Sequence, residues 1–275
     1  MTAAPGPQAG FAGWRVARFG AIDSTSEEAR RRAFAGDAGR LWVVAEEQTA
    51  GRGRRGRSWS SPRGNLYASA LLIDPCPQAA APQLGFVAGV ALARAAEDLG
   101  AVGARLKWPN DLVLDGAKCA GILVEGATLP DGRLACVVGI GVNCLSAPPA
   151  VGYPTAVLRT EGGGAIDAGA LFDRLVERFD EALLTWRAAD AFEAVRSAWL
   201  AHAMRLGERI RVESGGRRRE GTFEGLDGAG RLLFRGESGI EGIETADLWI
   251  LPQSDGAPVA VAASSALLAR EGPAE

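Results

Sequence analysis

Gly51-Arg52-Gly53-Arg54-Arg55-Gly56-Arg57-Ser58 is the stretch on which the fold turns. It follows a strand-like run, and it packs four arginines into seven residues. As GxGxxG it matches a dinucleotide fingerprint, with Asp74 at the end of a strand about twenty residues further on; as GxxxxG followed by Arg-Ser it is one residue from a phosphate loop. Both motifs need a helix to begin at the last glycine, because the helix N-terminus supplies the anion site. The continuation Ser58-Trp59-Ser60-Ser61-Pro62-Arg63-Gly64-Asn65 carries Pro and Gly, which deny that helix. A doubly wound nucleotide-binding sheet is therefore set aside. Glycines alternating with guanidiniums form either a solvated basic loop or a segment that closes on an anion, and the density of charge favours a substrate lid.

Outward from this loop, the next unusual segment is Lys107-Trp108-Pro109-Asn110-Asp111-Leu112-Val113-Leu114-Asp115-Gly116-Ala117-Lys118. It holds both lysines of a chain with 30 basic residues, and the three asparagines, Asn65, Asn110 and Asn143, fall in the same few unusual segments. Where arginine dominates so heavily, lysine marks a position that a planar guanidinium does not serve. Asp115-Gly116 signals a two-residue hairpin that pairs Leu114 with Ala117 and Val113 with Lys118. Period-2 alternation then predicts Lys118 on the face of Ala120, Ile122 and Val124, where it either snorkels to the rim or points into a pocket at a reacting oxyanion. Asp111 is the nearest acid for a magnesium ion or a nucleotide; a turn-capping aspartate has the same appearance.

Elsewhere the pattern predicts helices over 26–35, 83–99, 167–187 and 189–201, the first capped by Asp23, Ser24 or Thr25 and stopped by Gly36. Strands are expected at 41–46, 66–73, 104–108, 112–114, 118–125 and 134–142. After His202 the texture changes to short strands with Gly-rich turns, 209–213, 218–226, 231–235, 239–245 and 248–251, the spacing of a small β-barrel. The division expected is a tail over 1–12, an α/β unit over 13–202, a barrel over 203–252 and a second tail over 253–275.

Composition excludes several classes. With 275 residues, 47% apolar and 23% charged, the chain is long enough for a large core, and a net charge of -3 gives no support to a nucleic-acid partner. No apolar run reaches the roughly 18 residues of a membrane span, and the N-terminus lacks a basic segment followed by an apolar one, so the expected address is the cytoplasm. His202 is the single histidine, which disfavours a Ser-His-Asp triad or a multi-histidine metal site. Cys76, Cys119, Cys136 and Cys144 show no CxxC spacing and read as buried small hydrophobes.

The motifs Asp23-Ser24-Thr25, Glu47 through Trp59, Lys107 through Asp111, Lys118 through Glu125 and Gly139-Ile140-Gly141-Val142-Asn143 occur in the order and spacing of biotin protein ligases. The chain resembles that family from about residue 14 to about residue 251. The resemblance implies an α+β fold: a catalytic domain of mixed sheet and helices like that of class II aminoacyl-tRNA synthetases, followed by an SH3-like barrel. It also implies two steps, in which biotin and ATP give biotinyl-adenylate and a carrier-protein lysine then takes the biotin as an amide.

By motif position, Ser24 and Thr25 would hydrogen-bond the ureido group of biotin, beside Ser26, which stands where asparagine is common. Gln48 would contact biotin; Arg52, Gly53 and Arg54 would order over biotin and the adenylate. Lys118 would hold the biotin carboxylate and, with Arg54, stabilise charge at the α-phosphate. Arg57, Trp59, Lys107, Asn110, Asp111 and Asn143 fall on the nucleotide side, with Asp111 the candidate for Mg2+. The expected partner is the biotin carboxyl carrier domain of acetyl-CoA carboxylase or a related enzyme. Some relatives are also repressors through an N-terminal helix-turn-helix; the twenty-two residues before Asp23 are too few for it, so no DNA binding is expected. Homodimers occur in the family. Lipoate ligases share the fold and the adenylate chemistry but lack the glycine-arginine loop and the Lys-Trp-Pro segment as a pair. A non-catalytic biotin binder would be expected to lose Lys118 or the arginines.

Overall fold

The computed structural model describes residues 8–9, 13–149, 152–188, 191–214, 216–244 and 246–250. The elements are β1 (Gln8–Ala9), β2 (Arg15–Ile22), α1 (Thr25–Phe34), β3 (Leu41–Gln48), β4 (Leu66–Ile73), α2 (Leu84–Asp98), β5 (Arg105–Lys107), β6 (Asp111–Leu114), β7 (Ala117–Thr128) and β8 (Leu134–Val142). They continue with α3 (Ala168–Arg187), α4 (Ala191–Ala201), β9 (Arg209–Ser214), β10 (Arg217–Leu226), β11 (Leu232–Gly236), β12 (Gly239–Ile243) and β13 (Asp247–Ile250). Strands β1 to β8 form one sheet in the order β1-β2-β3-β4-β8-β7-β6-β5, and β9 to β13 form a second in the order β12-β11-β10-β9-β13. Every pair is antiparallel except β2 with β3, whose parallel register needs a crossover, and α1 is that crossover.

Alternation along the central strands sorts side chains to two faces. Trp42 and Val44 of β3, Ala68, Ala70 and Leu72 of β4, and Cys136, Val138 and Ile140 of β8 face the buried layer of α2, α3 and α4. Leu41, Val43, Leu71, Ala135 and Val137 face Ala29 and Ala33 of α1. Because both faces are covered, β4 and β8 read as nearly unbroken apolar runs. The larger layer is anchored by Trp14, Trp42, Phe172 and Phe179, with ring centroids 5.2 to 5.8 Å apart in tilted and edge-on contacts. Apolar residues of the second sheet, among them Ile210, Phe223, Leu232 and Phe234, belong to the same buried cluster.

Several expectations are corrected. Arg15–Ile22 is a strand that the pattern does not announce, because arginine and glycine interrupt its apolar positions. Gln8 and Ala9, expected in a loose tail, pair with Val16 and Arg15; the other residues of 1–12 and all of 253–275 lie outside the described residues. The 3-10 turn Gln78–Gln83 runs into α2, so Gln78–Asp98 is a 21-residue helical stretch long and apolar enough to cross a membrane by length and composition, although no unbroken apolar run has that length. Its apolar window is 67% buried inside the protein, the packing of a core helix.

The hairpin at Asp115-Gly116 has φ of 51° and 77°, and it pairs Leu114 with Ala117 and Val113 with Lys118. One residue later the register shifts: Leu112 opposes Ala120, so Cys119 is the extra residue of a bulge. That slip overturns the predicted face. Ala120 and Ile122 enter the core, whereas the Lys118 Nζ lies 3.4 Å from where a Cβ on Gly121 would stand, on the opposite side of β7.

Candidate active site

A cavity of about 760 Å³ opens where the start of α1, the 51–59 loop, the 107–111 turn and strands β7 and β8 converge. Its size suits a cofactor-sized ligand. Ser24, Thr25, Ser26, Gln48, Arg52, Gly53, Arg54, Arg57, Trp59, Lys107, Asn110, Asp111 and Lys118 all line it. Of the residues expected in the site, Asn143 does not.

One end is built of neutral hydrogen-bonding groups. Ser24 caps α1 by accepting from the Glu27 amide, which turns Thr25 and Ser26 inward. Thr25 donates to Gln48 Oε1 from both its amide, 2.8 Å, and its hydroxyl, 3.1 Å. The hydroxyls of Thr25 and Ser26 lie 2.8 and 3.1 Å from that of Ser69, a fully buried serine inside the apolar run of β4. Gln48 Nε2 donates to Ser61 Oγ at 2.9 Å. Glycine makes room here: a Cβ on Gly139 would stand 2.7 Å from Ser26 Oγ.

The loop lies folded against this end. Trp59 N donates to Gly51 O, Gly53 N donates to Arg57 O, and Arg52 bridges to Ser58, so the arginines sit on a closed tip. Residues 54–56 make a single 3-10 turn, with Arg55 at φ 56° and Arg57 already extended, so no helix starts at Gly56 and both phosphate-motif readings fall. Arg52 does more than line the cavity: its guanidinium pairs with Glu27 of α1 at 2.6 Å and Glu125 of β7 at 2.9 Å. Arg54 donates to Asn110 Oδ1 at 3.0 Å, and Asn110 Nδ2 in turn donates to Ile122 O. Two arginines, through three contacts, thus tie the loop to α1, β7 and the 107–111 turn.

Lys118 stands at the other end. Its ammonium pairs with Asp111 Oδ1 at 2.6 Å and lies between the rings of Trp59 and Tyr153, 5.4 and 5.5 Å from their centroids. The Trp59 ring rests on glycine backbone, since a Cβ on Gly141 would come within 2.6 Å of it and one on Gly121 within 3.2 Å. The cavity therefore joins an uncharged hydroxyl-amide end to a cationic, aromatic-walled end, with Trp59 between them. Asp111 is the carboxylate lining the cavity among the described residues, and no cluster of three metal-ligating side chains occurs among them. One carboxylate fits a magnesium ion carried chiefly by nucleotide phosphates rather than an all-protein metal site.

Asn143 is buried behind the wall, its amide nitrogen on Ala156 O at 3.2 Å and its Oδ1 without a partner. Ser69, Tyr153, Ser61, Glu27 and Glu125 are additions that motif reading misses. A serine inside an apolar strand was the available signal for Ser69, and Tyr153 is one of two tyrosines in the chain. Glu125 closes the Lys118–Glu125 motif without a role assigned to it, and nothing local tied Glu27 to the loop.

The biotin/lipoate A/B protein ligase family model matches residues 21–143, and the biotin protein ligase C-terminal domain model matches 206–247. The biotin--[acetyl-CoA-carboxylase] ligase of Paracoccus denitrificans is 42% identical over 238 residues, 82% of this chain and 97% of that one. The biotin protein ligase from Aquifex aeolicus, solved with biotin and ATP, superposes with a TM-score of 0.72 at 29% identity, covering 85% of this chain and 97% of that one. The Leishmania major enzyme in complex with biotinyl-5-AMP gives 0.59 at 26% identity, covering 84% and 98%. The chain belongs to the biotin protein ligase family.

Proposed function

We propose that the chain activates biotin with ATP as biotinyl-5'-AMP and transfers it to a lysine of a biotin carboxyl carrier domain, that of acetyl-CoA carboxylase or a related enzyme. The observation that carries this is the pairing of ends in one cavity. A ureido ring is neutral and both donates and accepts hydrogen bonds, which suits Ser24, Thr25, Ser26 and Gln48; the carboxylate at the far end of biotin's tail suits Lys118 beyond Trp59. In the first step a carboxylate oxygen bonds to the α-phosphorus of ATP and pyrophosphate leaves. Lys118 and Arg54 offset the charge on the carboxylate and α-phosphate, so positioned cations rather than a general base lower the barrier. In the second step the carrier amine attacks the acyl carbon, the amine proton is lost and AMP departs. Arg57, Trp59, Lys107 and Asn110 face the nucleotide, and Asn143, outside the cavity lining, would act only from behind the wall. Asp111 would hold a magnesium ion, which supplies charge neutralisation on the phosphates.

Residues 13–202 serve as the catalytic unit and 203–252 as the SH3-like unit in this proposal. Free cysteines throughout, with no disulfide among the described residues, fit the cytoplasm, where ATP and carrier domains also meet. The test is pyrophosphate exchange into ATP with biotin, lipoate or octanoate supplied in turn. Exchange with biotin selects this activity; exchange with lipoate in its place would assign the chain to the sister chemistry, and none with any acid would leave a binder.

A further inference from the structure

The 227–231 turn between β10 and β11 leaves the second sheet and enters the first half of the molecule. Asp227 fixes its shape: Oδ1 accepts from the amides of Ala229 and Arg231 at 2.9 Å each, and Oδ2 accepts from Arg231 Nε at 2.6 Å. The Gly230 amide donates to Asp227 O at 3.0 Å, and Arg196 of α4 donates to Leu226 O at 2.6 Å, tying down the base of the turn. At the tip, Gly230 has φ +83°, and a Cβ there would lie 2.6 Å from the Phe86 ring and 3.2 Å from that of Phe192. Phe86 also packs edge-on against Trp199, so bare backbone occupies an aromatic socket made by α2 and α4.

Within that socket the Gly230 carbonyl accepts the indole N–H of Trp108 at 3.2 Å, across 122 residues of sequence. Trp108 is 2% exposed, so its N–H has no water to fall back on and the ring is held in the one orientation that satisfies it. The next three residues are the cavity turn: Pro109, then Asn110 receiving Arg54, then Asp111 pairing with Lys118. Leu248 of β13, and Ala246 just before that strand, line the same cavity.

We infer that the 227–231 turn is a positioning element for the nucleotide end of the site, with Gly230 and Trp108 as positioning residues that act through Asn110 and Asp111. The turn makes no contact with Ser24, Thr25, Ser26 or Gln48, so it reaches biotin only through the Lys118 that Asp111 holds, and its influence falls first on the nucleotide. The inference rests on the proposed biotin- and ATP-dependent activity for its kinetic readout, and a second readout is independent of that activity.

Two variants test it: Trp108→Phe keeps a ring in the socket and removes the N–H, and Gly230→Ala drives the tip out of the socket. KM for ATP and KM for biotin are measured in biotin-dependent pyrophosphate exchange, and amide hydrogen exchange is followed at 110–112. KM is blind to the fraction of molecules folded, so a merely structural effect leaves it unchanged. Expected is a rise of about five-fold or more in the ATP KM of both variants with the biotin KM within about two-fold, since misplacement near one ångström is enough for such losses. An unchanged ATP KM, or equal rises for both substrates, overturns the inference. If the wild-type protein supports no exchange, it is the proposed activity that fails. Hydrogen exchange then decides the coupling: faster exchange at 110–112 in both variants upholds it, and wild-type rates overturn it. Should Gly230→Ala fail to fold, Trp108→Phe carries the test.

Discussion

A single methyl group is the finest probe of this site. Gly139→Ala would place a Cβ 2.7 Å from Ser26 Oγ and push the hydroxyl cluster toward the space for the ureido ring; a rise of at least about ten-fold in biotin KM, with ATP KM unchanged, is expected from exchange kinetics. Lys118 tests the other end. Lys118→Ala removes an ammonium held by Asp111 and two rings, and adenylate formation should fall by roughly two to three orders of magnitude, the scale of losing one preorganised charge contact, while circular dichroism and melting temperature stay close to wild type. Activity within a few-fold of wild type would remove Lys118 from the charge-stabilising role. For Arg54→Ala, which unties the loop from Asn110, the expected outcome is faster escape of the adenylate, read as more biotin on bystander amines.

At the scale of elements, the start of α1 is set by charge as well as by its cap. Arg31 hydrogen-bonds the Asp23 carboxylate, and the Ser24 amide adds a further bond, holding that carboxyl down at about 2. An acid whose folded value is depressed contributes stability above its unfolded value, near 4, and loses it as pH falls toward 2. Asp23→Asn should therefore melt below wild type at pH 7, with the two curves converging as pH approaches 2. Since both partners are about half exposed, the difference is held to about 1 kcal/mol or less. The glycine-arginine segment was legible as a loop because Pro62 and Gly64 forbid the helix that a phosphate motif requires, and the hairpin at Asp115-Gly116 was legible to the residue. The face of Lys118 was not, because a one-residue bulge has no composition of its own and inverts everything after it. Nor was β2, whose apolar positions are spaced out by arginine and glycine. The latch of Arg52 on Glu27 and Glu125 joins residues far apart in sequence, and only the fold brings them together.

For the molecule as a whole, a continuous core spans both sheets, and its loss should be felt everywhere. Phe179→Ala, which opens the aromatic cluster against Trp14 and Trp42, is expected to cost about 3–5 kcal/mol by chemical denaturation in one cooperative transition. The same burial pushes the thiols of Cys119 and Cys136 up to about 12 and that of Cys144 to about 11. A thiol reagent at pH 8 should therefore reach only half-buried Cys76 in the native protein, slowly, and all four cysteines in denaturant. Trp14 donates its indole N–H to Asp180, 166 residues later in the chain, and rests against Phe179 beside it. Ribosomes deliver about 5–20 residues per second. Trp14 therefore waits on the order of ten seconds or more for the helix that covers it, and through that interval its ring is shielded by chaperones or by nothing.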